Sequence, residues 1–392
     1  PGFDDIWTIV FTSGTTGDPK GVVLDYKTIY LTKIIVESDV NPLGMDRNGN
    51  NSFFSYLPLN HIFERVVLEF QCMRYGGTMS FVESLESFPK NLADVQPTTF
   101  ASVPRIYNKF KDKILEKMPQ KRLNFLLSVP IISSLIKKKI RKSLGWSNAN
   151  AIVSGAAFLP QELIEWYGKL GINILNGYGM TENCCVCSYL DTSTGEGKGS
   201  VGKPWDQVEI KIGENGEILN KSPYLLKEYY KNPDYTNEVL VDGWFNTGDK
   251  GHLDDKGYLH ITGRVKDIFK TSKGKYIEPH LIEEKFEKSN LFQQLCIVGL
   301  GLVQPILLAV PNEQALNDKE KTEKSLKKIL LDFNSTADGY KKVKKIILLS
   351  EDWTPENGLT TPTLKIKRAK IDEAFSSKYQ NWYNASEEVI WE

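Results

Sequence analysis

The sequence lacks an excess of charge of either sign, since its 392 residues carry 49 Lys plus Arg and 49 Asp plus Glu. This balance argues against a nucleic-acid-binding protein, because such proteins usually carry a basic excess. It does not argue against a focused site for one small polyanion. No uninterrupted apolar run is long enough to span a bilayer. The length favours two or three domains, because one core rarely serves so long a chain.

Cysteine is also scarce, and the five cysteines show no spacing typical of a disulfide framework. This usage indicates a reducing, cytoplasmic setting. Cys184, Cys185 and Cys187 lie close together, but the CxxC pairs and neighbouring His of a common zinc site are missing. We interpret these three residues as small buried side chains.

Short apolar runs alternate with helical patterns along the first half of the chain. "WTIVF" (7–11) predicts a strand that enters a glycine-rich turn, and the spacing after the turn predicts a helix. A strand, turn and helix in this order would point backbone N–H groups at an anion. The alternation repeats as far as "NILNGYG" (173–179), which predicts a mostly parallel sheet covered by helices.

The pattern changes twice further along the chain. Near Gly199, alternating apolar and polar residues around "GENG" predict a hairpin, and near Lys266 a mixture of short strands and helices begins. We therefore expect an α/β fold in three parts: residues 1–198 with the parallel sheet, residues 199–265 as a β-rich subdomain, and residues 266–392 as a small α+β domain. Because the chain begins at Pro1, close to the glycine-rich turn, we expect additional chain upstream.

The stretch 123–146 is first apolar and then basic. Such a stretch suits either an anionic membrane surface or ordinary helical packing with a solvated lysine end. Because Pro130 interrupts it, we favour packing.

The glycine-rich turn, "TSGTTGDPKG" (12–21), contains no large apolar side chain and cannot build a core. It is not a Walker loop, because its glycines have a different spacing and Lys20 is followed by Gly21. Its composition still favours phosphate, since glycines allow close backbone approach, hydroxyls donate and Lys20 supplies positive charge.

Later motifs carry side chains that suit the rest of a nucleotide. In "NGYGMTE", Tyr178 has a ring suited to stacking on a base, Thr181 a hydroxyl for a phosphate, and Glu182 a hard oxygen ligand for Mg²⁺. Asp249 in "TGD", which we place in a loop, offers two acceptors for the vicinal hydroxyls of a ribose. Arg264 in "GRVKD" is suited to support the same sugar.

In this order, "TSGTTGDPKG", "YGMTE", "GWFNTGD", "ITGRVKD" and "TPTLKIKR" resemble the successive motifs of the adenylate-forming superfamily. That superfamily contains acyl-CoA synthetases, luciferases and peptide-synthetase adenylation domains. The resemblance runs from Asp5 to about Ile371, and "LPLNHIFER" and "PTTFASVPRIYNK" are most similar to long-chain fatty acid–CoA ligases. It implies that a carboxylate attacks the α-phosphorus of ATP, and that coenzyme A then takes the acyl group from the adenylate.

The resemblance also implies a role for each motif. A catalytic pair, Thr181 and Glu182, is expected, with Glu182 and Thr12 holding Mg²⁺. The nucleotide-binding residues that it implies are Thr12, Ser13, Gly14, Thr15, Thr16, Gly17 and Lys20 for the outer phosphates, Gly155, Ala156, Gly177, Tyr178 and Gly179 around the adenine, and Asp249 and Arg264 at the ribose.

By the same resemblance, Lys365 in "TPTLKIKR" bridges the carboxylate and the α-phosphate in the first step. Lys367 is a rival, and the spacing to Arg368 favours Lys365. The C-terminal domain is expected to turn about a hinge at Lys266 between the two steps. This turn would withdraw Lys365 and bring a loop to the thiol path, and the loop residues concerned are Lys273, Gly274 and Lys275.

The acid is expected to have an uncharged tail. Where amino-acid adenylation domains usually present an aspartate, this sequence reads His61-Ile62-Phe63, with Glu64 the one nearby carboxylate. We therefore expect His61 as a gate to a fatty-acid site, with ATP, Mg²⁺ and coenzyme A as partners and no nucleic acid. A homodimer and peripheral membrane contact stay open. Two alternatives are kept: adenylation of another carboxylic acid, and nucleotide binding without turnover.

Overall fold

The computed structural model describes residues 1–12, 19–38, 41–361 and 365–392. Its strands are β1 (Ile6–Thr12), β2 (Lys20–Asp25), β3 (Ser52–Ser55), β4 (Thr78–Phe81), β5 (Thr99–Ser102), β6 (Ala151–Ser154), β7 (Ile174–Tyr178), β8 (Ser188–Leu190), β9 (Lys203–Pro204), β10 (Glu209–Ile212), β11 (Glu217–Lys221), β12 (Glu228–Tyr229), β13 (Leu240–Val241), β14 (Trp244–Leu253), β15 (Leu259–Arg264), β16 (Phe269–Lys270), β17 (Tyr276–Ile277), β18 (Phe292–Val298), β19 (Ile306–Pro311), β20 (Ile346–Leu348) and β21 (Val389–Trp391).

The α-helices are α1 (Tyr26–Leu31), α2 (Ile34–Glu37), α3 (Gln71–Tyr75), α4 (Phe88–Val95), α5 (Pro104–Lys117), α6 (Gln120–Ser128), α7 (Pro130–Ser143), α8 (Gln161–Lys169), α9 (Pro233–Val239), α10 (Pro279–Glu287), α11 (Glu313–Asn317), α12 (Lys319–Thr336) and α13 (Arg368–Asn384). A π-helix, Glu64–Phe70, leads directly into α3. None of the helices in the described ranges is both long and apolar enough to cross a membrane.

The central sheet has the strand order β4-β3-β5-β6-β7-β8-β9. Its first five strands pair in parallel, while β8 and β9 are antiparallel. Helices between successive parallel strands cover the sheet, as such crossovers require. The predicted α/β class is confirmed. This arrangement brings the carboxyl ends of the neighbouring strands β6 and β7 together.

A cluster of buried aromatic rings fixes β6 against the helices beside it. Trp146 and Tyr107 are fully buried, as is Tyr167 on α8. The Tyr107 hydroxyl donates to the carbonyl of Val153 on β6 at 2.7 Å, and the Tyr167 hydroxyl donates to the Tyr107 carbonyl at 2.7 Å. A buried hydroxyl without a partner would be costly, so these bonds favour one arrangement of α5, α8 and the sheet.

The expected order of strand, glycine-rich turn and helix is wrong. A second strand, β2, follows the turn and pairs antiparallel with β1 before α1 begins. Val22 and Val23 are both fully buried, and β-branched side chains of this kind favour a strand. The N-terminus of α1 is capped by the Asp25 carboxylate, which accepts from the Thr28 N–H, and it follows β2, not the turn.

The β-rich part contains the predicted hairpin, with β10 and β11 antiparallel, and its sheet continues to β14, β13 and β15. Strand β12 instead pairs with β2, so a three-stranded sheet joins residues from both sides of the expected boundary near Gly199. The C-terminal part has a four-stranded sheet, β18-β19-β20-β21, with two core clusters of its own. A small α+β unit at this end is thus confirmed.

Candidate active site

A cleft of about 1810 Å³ is lined by residues of the parallel sheet, the β-rich part and the C-terminal part. The residues on its wall that the sequence singled out are Thr12, His61, Gly155, Ala156, Gly177, Tyr178, Gly179, Thr181, Glu182, Asp249, Arg264 and Lys365. Among the described residues, Lys20, Lys266, Lys273, Gly274 and Lys275 lie off this wall. The predicted phosphate-loop residues Ser13, Gly14, Thr15, Thr16 and Gly17 lie outside the described residues.

The carboxyl ends of β6 and β7 form one wall of the cleft, the position where open α/β sheets usually bind ligands. Ala156, just past β6, has a φ of 66°, a left-handed conformation that residues with a Cβ rarely adopt. At Gly179, just past β7, an added Cβ would lie 2.4 Å from the backbone carbon of Cys185. One position at this wall is therefore held in a costly conformation, as is often seen at ligand sites, and the other has room only for glycine.

Asp249 forms a polar cluster with two other predicted site residues. It is 6% exposed. The Tyr178 hydroxyl donates to its Oδ2 at 2.8 Å, and Arg264 Nε lies 3.2 Å from its Oδ1. The charge of Asp249 raises the pKa of Arg264. Each carboxylate oxygen can accept more than one hydrogen bond, so both remain able to accept from a ribose.

The placement of Asp249 in a loop is wrong. Residues 247–249 lie within β14, and Asp249 stands opposite Arg264 on β15. Gly248 has a φ of 72°, and its N–H donates to the Glu217 carboxylate at 2.9 Å. The turn-like composition of "TGD" therefore corresponds to a local irregularity inside a strand. Cross-strand pairing is what brings the carboxylate and the guanidinium together.

Glu182 is held by a tyrosine that the sequence analysis did not identify. It lies in the 3₁₀ turn Thr181–Asn183, and the Tyr229 hydroxyl donates to its Oε1 at 2.7 Å. Burial raises the pKa of Glu182, and this hydrogen bond opposes part of the rise. The Tyr229 ring packs on Tyr235 with centroids 4.8 Å apart, and Lys20 Nζ lies 4.6 Å from the Tyr235 centroid. Lys20, which does not line the cleft, is thus connected to Glu182 through Tyr235 and Tyr229.

Glu182 and Thr12 fit a magnesium ion that takes most of its ligands from phosphates and water. Within the described ranges, no group of three or more His, Cys, Asp or Glu side chains could hold a metal ion. Mg²⁺ is usually bound through one or two carboxylates plus substrate phosphates, so a full protein cage is not required. Both residues line the same cleft, and the donor set therefore suits this ion.

Lys365 lies on the cleft, whereas Lys367 is not part of its described wall and precedes α13 as the N-cap residue. The Lys365 N–H donates to Thr361 Oγ1 at 3.1 Å, and the Thr361 N–H donates back to the Lys365 carbonyl at 2.8 Å. Burial and the charge of Arg264 lower the pKa of Lys365 to about 8, against the opposing effect of Asp249. The structure therefore separates the two rival lysines.

His61 and Glu64 have different surroundings although they share one motif. His61 lines the cleft, and burial together with the charge of Lys365 lowers its pKa to about 4. Its ring is therefore neutral near pH 7. Glu64 begins the π-helix and is 0% exposed, and burial raises its pKa to about 7. Glu64 does not line the described cleft, so it is not placed to pair with a substrate amino group.

The residues assigned to the hinge and the thiol path do not line the cleft. Lys266 is exposed in the 3₁₀ turn Val265–Asp267, between β15 and β16. The exposed residues Lys273, Gly274 and Lys275 form the turn between β16 and β17, where Gly274 has a φ of 76°. Their roles stay predictions, since they concern a second arrangement of the C-terminal part.

Two of the three neighbouring cysteines are buried in the core beside the site, as we interpreted them, whereas Cys185 is only partly buried and lines the cleft. Cys184 and Cys187 are fully buried, and Cys185 is partly buried against the same cluster. Burial raises the pKa of Cys185 to about 12. All three side chains therefore remain protonated thiols near pH 7.

Arg368 anchors the segment that carries Lys365. Its guanidinium donates to both carboxylate oxygens of Glu283, at 2.8 and 3.0 Å, and to the carbonyl of Ile297 at 2.6 Å. Its Nε lies 3.8 Å from Asp267 Oδ2. Glu283 is only 8% exposed, so this is a buried pair. The sequence does not indicate this role for Arg368, because its partner on α10 lies 85 residues away.

Removing this anchor should destabilise the C-terminal part. Arg368→Met leaves the Glu283 carboxylate buried without its bidentate partner, and we expect a loss of about 3–5 kcal/mol in the free energy of unfolding. The double variant Arg368→Met with Glu283→Met should recover most of this loss, because no uncompensated buried charge remains. Equilibrium urea unfolding followed by tryptophan fluorescence measures the effect.

Lys370→Met is the matched control, since Lys370 lies on the same helix and pairs with Glu373 at the exposed surface. Exposed ion pairs contribute little, so this change should leave the unfolding transition nearly unchanged. If Arg368→Met and Lys370→Met behave alike, the buried pair does not have the anchoring role given to it here.

Two family models match the chain: an AMP-binding enzyme model over residues 1–230, and an AMP-binding enzyme C-terminal domain model over residues 266–387. The chain belongs to the AMP-binding enzyme family, as the ordered motifs implied.

Comparison with curated proteins indicates which members of this family the chain resembles. The chain is 31% identical to long-chain-fatty-acid–CoA ligase 5 of Rattus norvegicus, over 99% of this chain and 64% of that protein. It is 30% identical to long chain acyl-CoA synthetase 2 of Arabidopsis thaliana, over 97% of this chain and 65% of that protein. The chain thus spans less than two thirds of the length of these relatives.

Solved structures share the fold. The adenylation domain of a carboxylate reductase from Mycobacterium chelonae superposes with a TM-score of 0.78 at 22% identity, covering 98% of this chain and 61% of that one. The o-succinylbenzoate CoA synthetase of Bacillus subtilis, solved with an acyl-adenylate intermediate, gives a TM-score of 0.71 at 22% identity, covering 94% and 69%. At such identities the likeness concerns the fold alone.

Proposed function

We propose that this chain carries the adenylate-forming site of an ATP-dependent long-chain fatty acid–CoA ligase, with Mg²⁺ as the metal cofactor and coenzyme A as the acyl acceptor. The observation that carries the proposal is that Tyr178, Asp249 and Lys365, from three different parts of the chain, line one cleft. A base-stacking ring, a ribose-binding carboxylate and a cation are the groups that adenylation needs side by side.

The nucleotide is bound along the carboxyl ends of β6 and β7. Asp249 accepts from the ribose hydroxyls while Arg264 keeps its carboxylate oriented, and the hydroxyl bond from Tyr178 fixes the ring that stacks on the adenine. We assign the β- and γ-phosphates to residues of the glycine-rich turn and to Lys20, whose ammonium lies against the Tyr235 ring and would have to turn towards the cleft to reach them. Mg²⁺, held by Glu182 and Thr12, would neutralise charge on these phosphates when bound.

In the first step the carboxylate oxygen of the acid forms a bond to the α-phosphorus, and pyrophosphate leaves. Positioning and charge neutralisation dominate such chemistry. Lys365 binds the carboxylate and an α-phosphate oxygen together, which brings two anions into contact and offsets the charge that develops between them. The neutral ring of His61 borders the apolar tail.

In the second step the thiol sulfur of coenzyme A attacks the acyl carbonyl of the adenylate, and AMP leaves. Lys365 has no partner to bridge in that step. We assign the change between the two positions of the C-terminal part to a rotation at Lys266. This rotation brings Lys273, Gly274 and Lys275 to the thiol path, as in hinge closures generally.

A fatty acid is favoured over an amino acid because Glu64 is buried off the cleft, leaving His61 and apolar neighbours in that motif. The named relatives favour the same class. A second candidate is an aryl acid, the alternative carboxylic substrate kept from the sequence, because it likewise carries no charge besides its carboxylate. Nucleotide binding without turnover is the third.

An exchange assay separates these candidates. The chain is incubated with ATP, labelled pyrophosphate and one acid from a series: palmitate, octanoate, benzoate and anthranilate, with hexadecanol as the control that lacks a carboxylate. We expect label to enter ATP fastest with palmitate and not with hexadecanol. Faster exchange with an aryl acid supports the second candidate. Binding of AMP without exchange for any acid contradicts the ligase proposal.

Tyr229→Phe should raise the Mg²⁺ concentration that the exchange reaction requires. The change removes the hydroxyl that donates to Glu182 but keeps the ring on Tyr235. One lost hydrogen bond suggests that the Mg²⁺ concentration giving half-maximal exchange rises about fivefold. Tyr230→Phe is the matched control, because Tyr230 is adjacent in sequence and exposed. An unchanged Mg²⁺ requirement for Tyr229→Phe would show that this tyrosine does not position the metal ligand.

A further inference from the structure

The helices α6 and α7, joined at Val129, expose a group of large apolar side chains. Phe125 is 68% exposed on α6, and on α7 Ile131 is 78%, Ile132 38% and Leu135 64% exposed. All four lie within six residues of the junction between the two helices. We call this group the apolar corner.

Packing does not account for the apolar corner. The sides of the two helices that face the protein are formed by other residues: Leu123 and Ile140 are buried in the core cluster of the parallel-sheet part, and Leu127 and Ile136 pack against it. The helix pair is therefore already attached to the fold. The packing that the sequence favoured is present, but it leaves these four side chains in water, and a group of exposed large apolar side chains commonly marks a contact site.

Basic residues surround the corner. From Lys117 to Gln161 the sequence contains eight Lys and Arg and no Asp or Glu, in a chain whose net charge is zero. Lys121 and Arg122 are exposed at the start of α6, and Lys138, Lys139 and Lys142 are exposed towards the end of α7. The positive charge is therefore concentrated on both sides of the apolar corner along the chain. Such a distribution attracts an anionic surface.

The spacing along α7 fits the depth of a lipid headgroup layer. Ile131, Leu135, Lys138 and Lys142 follow one another at helical intervals of four, three and four residues, so they share one face. At the helical rise, Lys138 lies about 10 Å from Ile131 along the axis. If α7 points its apolar end towards the bilayer, this distance places the lysines level with the lipid phosphates while Ile131 reaches the headgroup and acyl boundary, where apolar side chains enter by roughly 5–10 Å.

We infer that the apolar corner docks on the surface of an anionic lipid bilayer, with its four apolar side chains entering the boundary layer and the surrounding lysines contacting lipid phosphates. Two signals of this kind act together, since neither a few apolar side chains nor a basic patch alone anchors a protein stably. The contact is peripheral. It does not depend on the proposed function, although it would place the cleft near a reservoir of long-chain acids.

Vesicle flotation tests the inference with no substrate present. The full chain is mixed with vesicles of phosphatidylcholine alone or of equimolar phosphatidylcholine and phosphatidylglycerol, and the floating fraction is measured. We expect clear binding to the anionic vesicles, weak binding to the neutral ones, and loss of the difference at high salt, because salt screens the lysine contacts.

Variants separate the two contributions. The triple variant Phe125→Ser, Ile131→Ser and Leu135→Ser should lower partitioning into anionic vesicles by about tenfold or more. Lys138→Glu with Lys139→Glu should remove the preference for anionic lipid. The controls are Leu331→Ser, an equally exposed leucine on α12, and Lys324→Glu on the same helix. All changed positions are at the surface, so the variants should fold, and the controls should bind like the parent.

The inference is overturned if the parent chain does not float with anionic vesicles, or if the triple variant floats as well as the parent. It is also overturned if the parent is a dimer by light scattering and the triple variant is a monomer, because a second copy of the chain then covers the corner. Exchange activity is not measured in these experiments, so their failure is distinct from failure of the ligase proposal.

Discussion

Lys365→Ala is expected to slow acyl-adenylate formation by about a thousandfold, because removing one preorganised charge at a developing anion costs two to three orders of magnitude or more. Formation of the thioester from supplied acyl-adenylate should continue at close to the parent rate, since the lysine serves only the first step. Pyrophosphate exchange and thioester release measure the two halves separately. Lys367→Ala is the matched control and should leave both rates nearly unchanged. Equal losses in both half-reactions for Lys365→Ala would contradict the assignment.

The pH dependence of adenylation offers a second test of the same residue. The pKa of Lys365 is lowered to about 8, and a lysine carries its charge below its pKa. The value of kcat/KM for adenylation, which reports the free enzyme, should therefore fall as the pH rises through about 8. Lys365→Arg keeps its charge throughout this range, so its residual activity should not show the fall. A parent profile that is flat to pH 9.5, about one and a half units above that pKa, would argue against a charged Lys365 in this step.

The sequence allowed the parallel sheet to be predicted because its signal is local. Each parallel strand is a short apolar run bounded by a turn or a helical pattern, and such runs need no knowledge of their neighbours. Strand β2 was missed for the opposite reason: it follows a turn whose composition suggested a phosphate-binding loop leading into a helix. Its fully buried pair, Val22 and Val23, gains its stability from pairing with β1 and β12.

The parts of the site that could not be predicted depend on contacts between distant residues. The Tyr229 hydroxyl reaches Glu182 across 47 positions, and Arg368 reaches Glu283 across 85. No local pattern marks either partner. Asp249 shows the same limit, since "TGD" has the composition of a turn but the register with β15 keeps it in a strand. Twelve residues named from the motifs line the cleft, whereas the residues that hold them in place could be found only from the three-dimensional arrangement.

Asp249→Ala and substitutions in the glycine-rich turn should differ in how they change the affinities for AMP and ATP. Both nucleotides carry the ribose that Asp249 is proposed to bind through two charge-assisted hydrogen bonds, so losing the carboxylate should weaken each by about 2–5 kcal/mol. The turn is proposed to bind the β- and γ-phosphates, which AMP lacks. Thr16→Val and Lys20→Ala should therefore weaken a non-hydrolysable ATP analogue and leave AMP nearly unchanged. Calorimetric titration of both nucleotides into each variant measures these differences.

Asp249→Ala and Lys20→Ala each have a matched control near them in the chain. Asp255→Ala removes an exposed carboxylate from the turn between β14 and β15, and Lys27→Ala removes an exposed cation close after β2. Neither should alter the affinity for either nucleotide, so a loss in the test variants cannot be ascribed to net charge. If Lys20→Ala weakens AMP as strongly as Asp249→Ala does, then "TSGTTGDPKG" does not bind the outer phosphates.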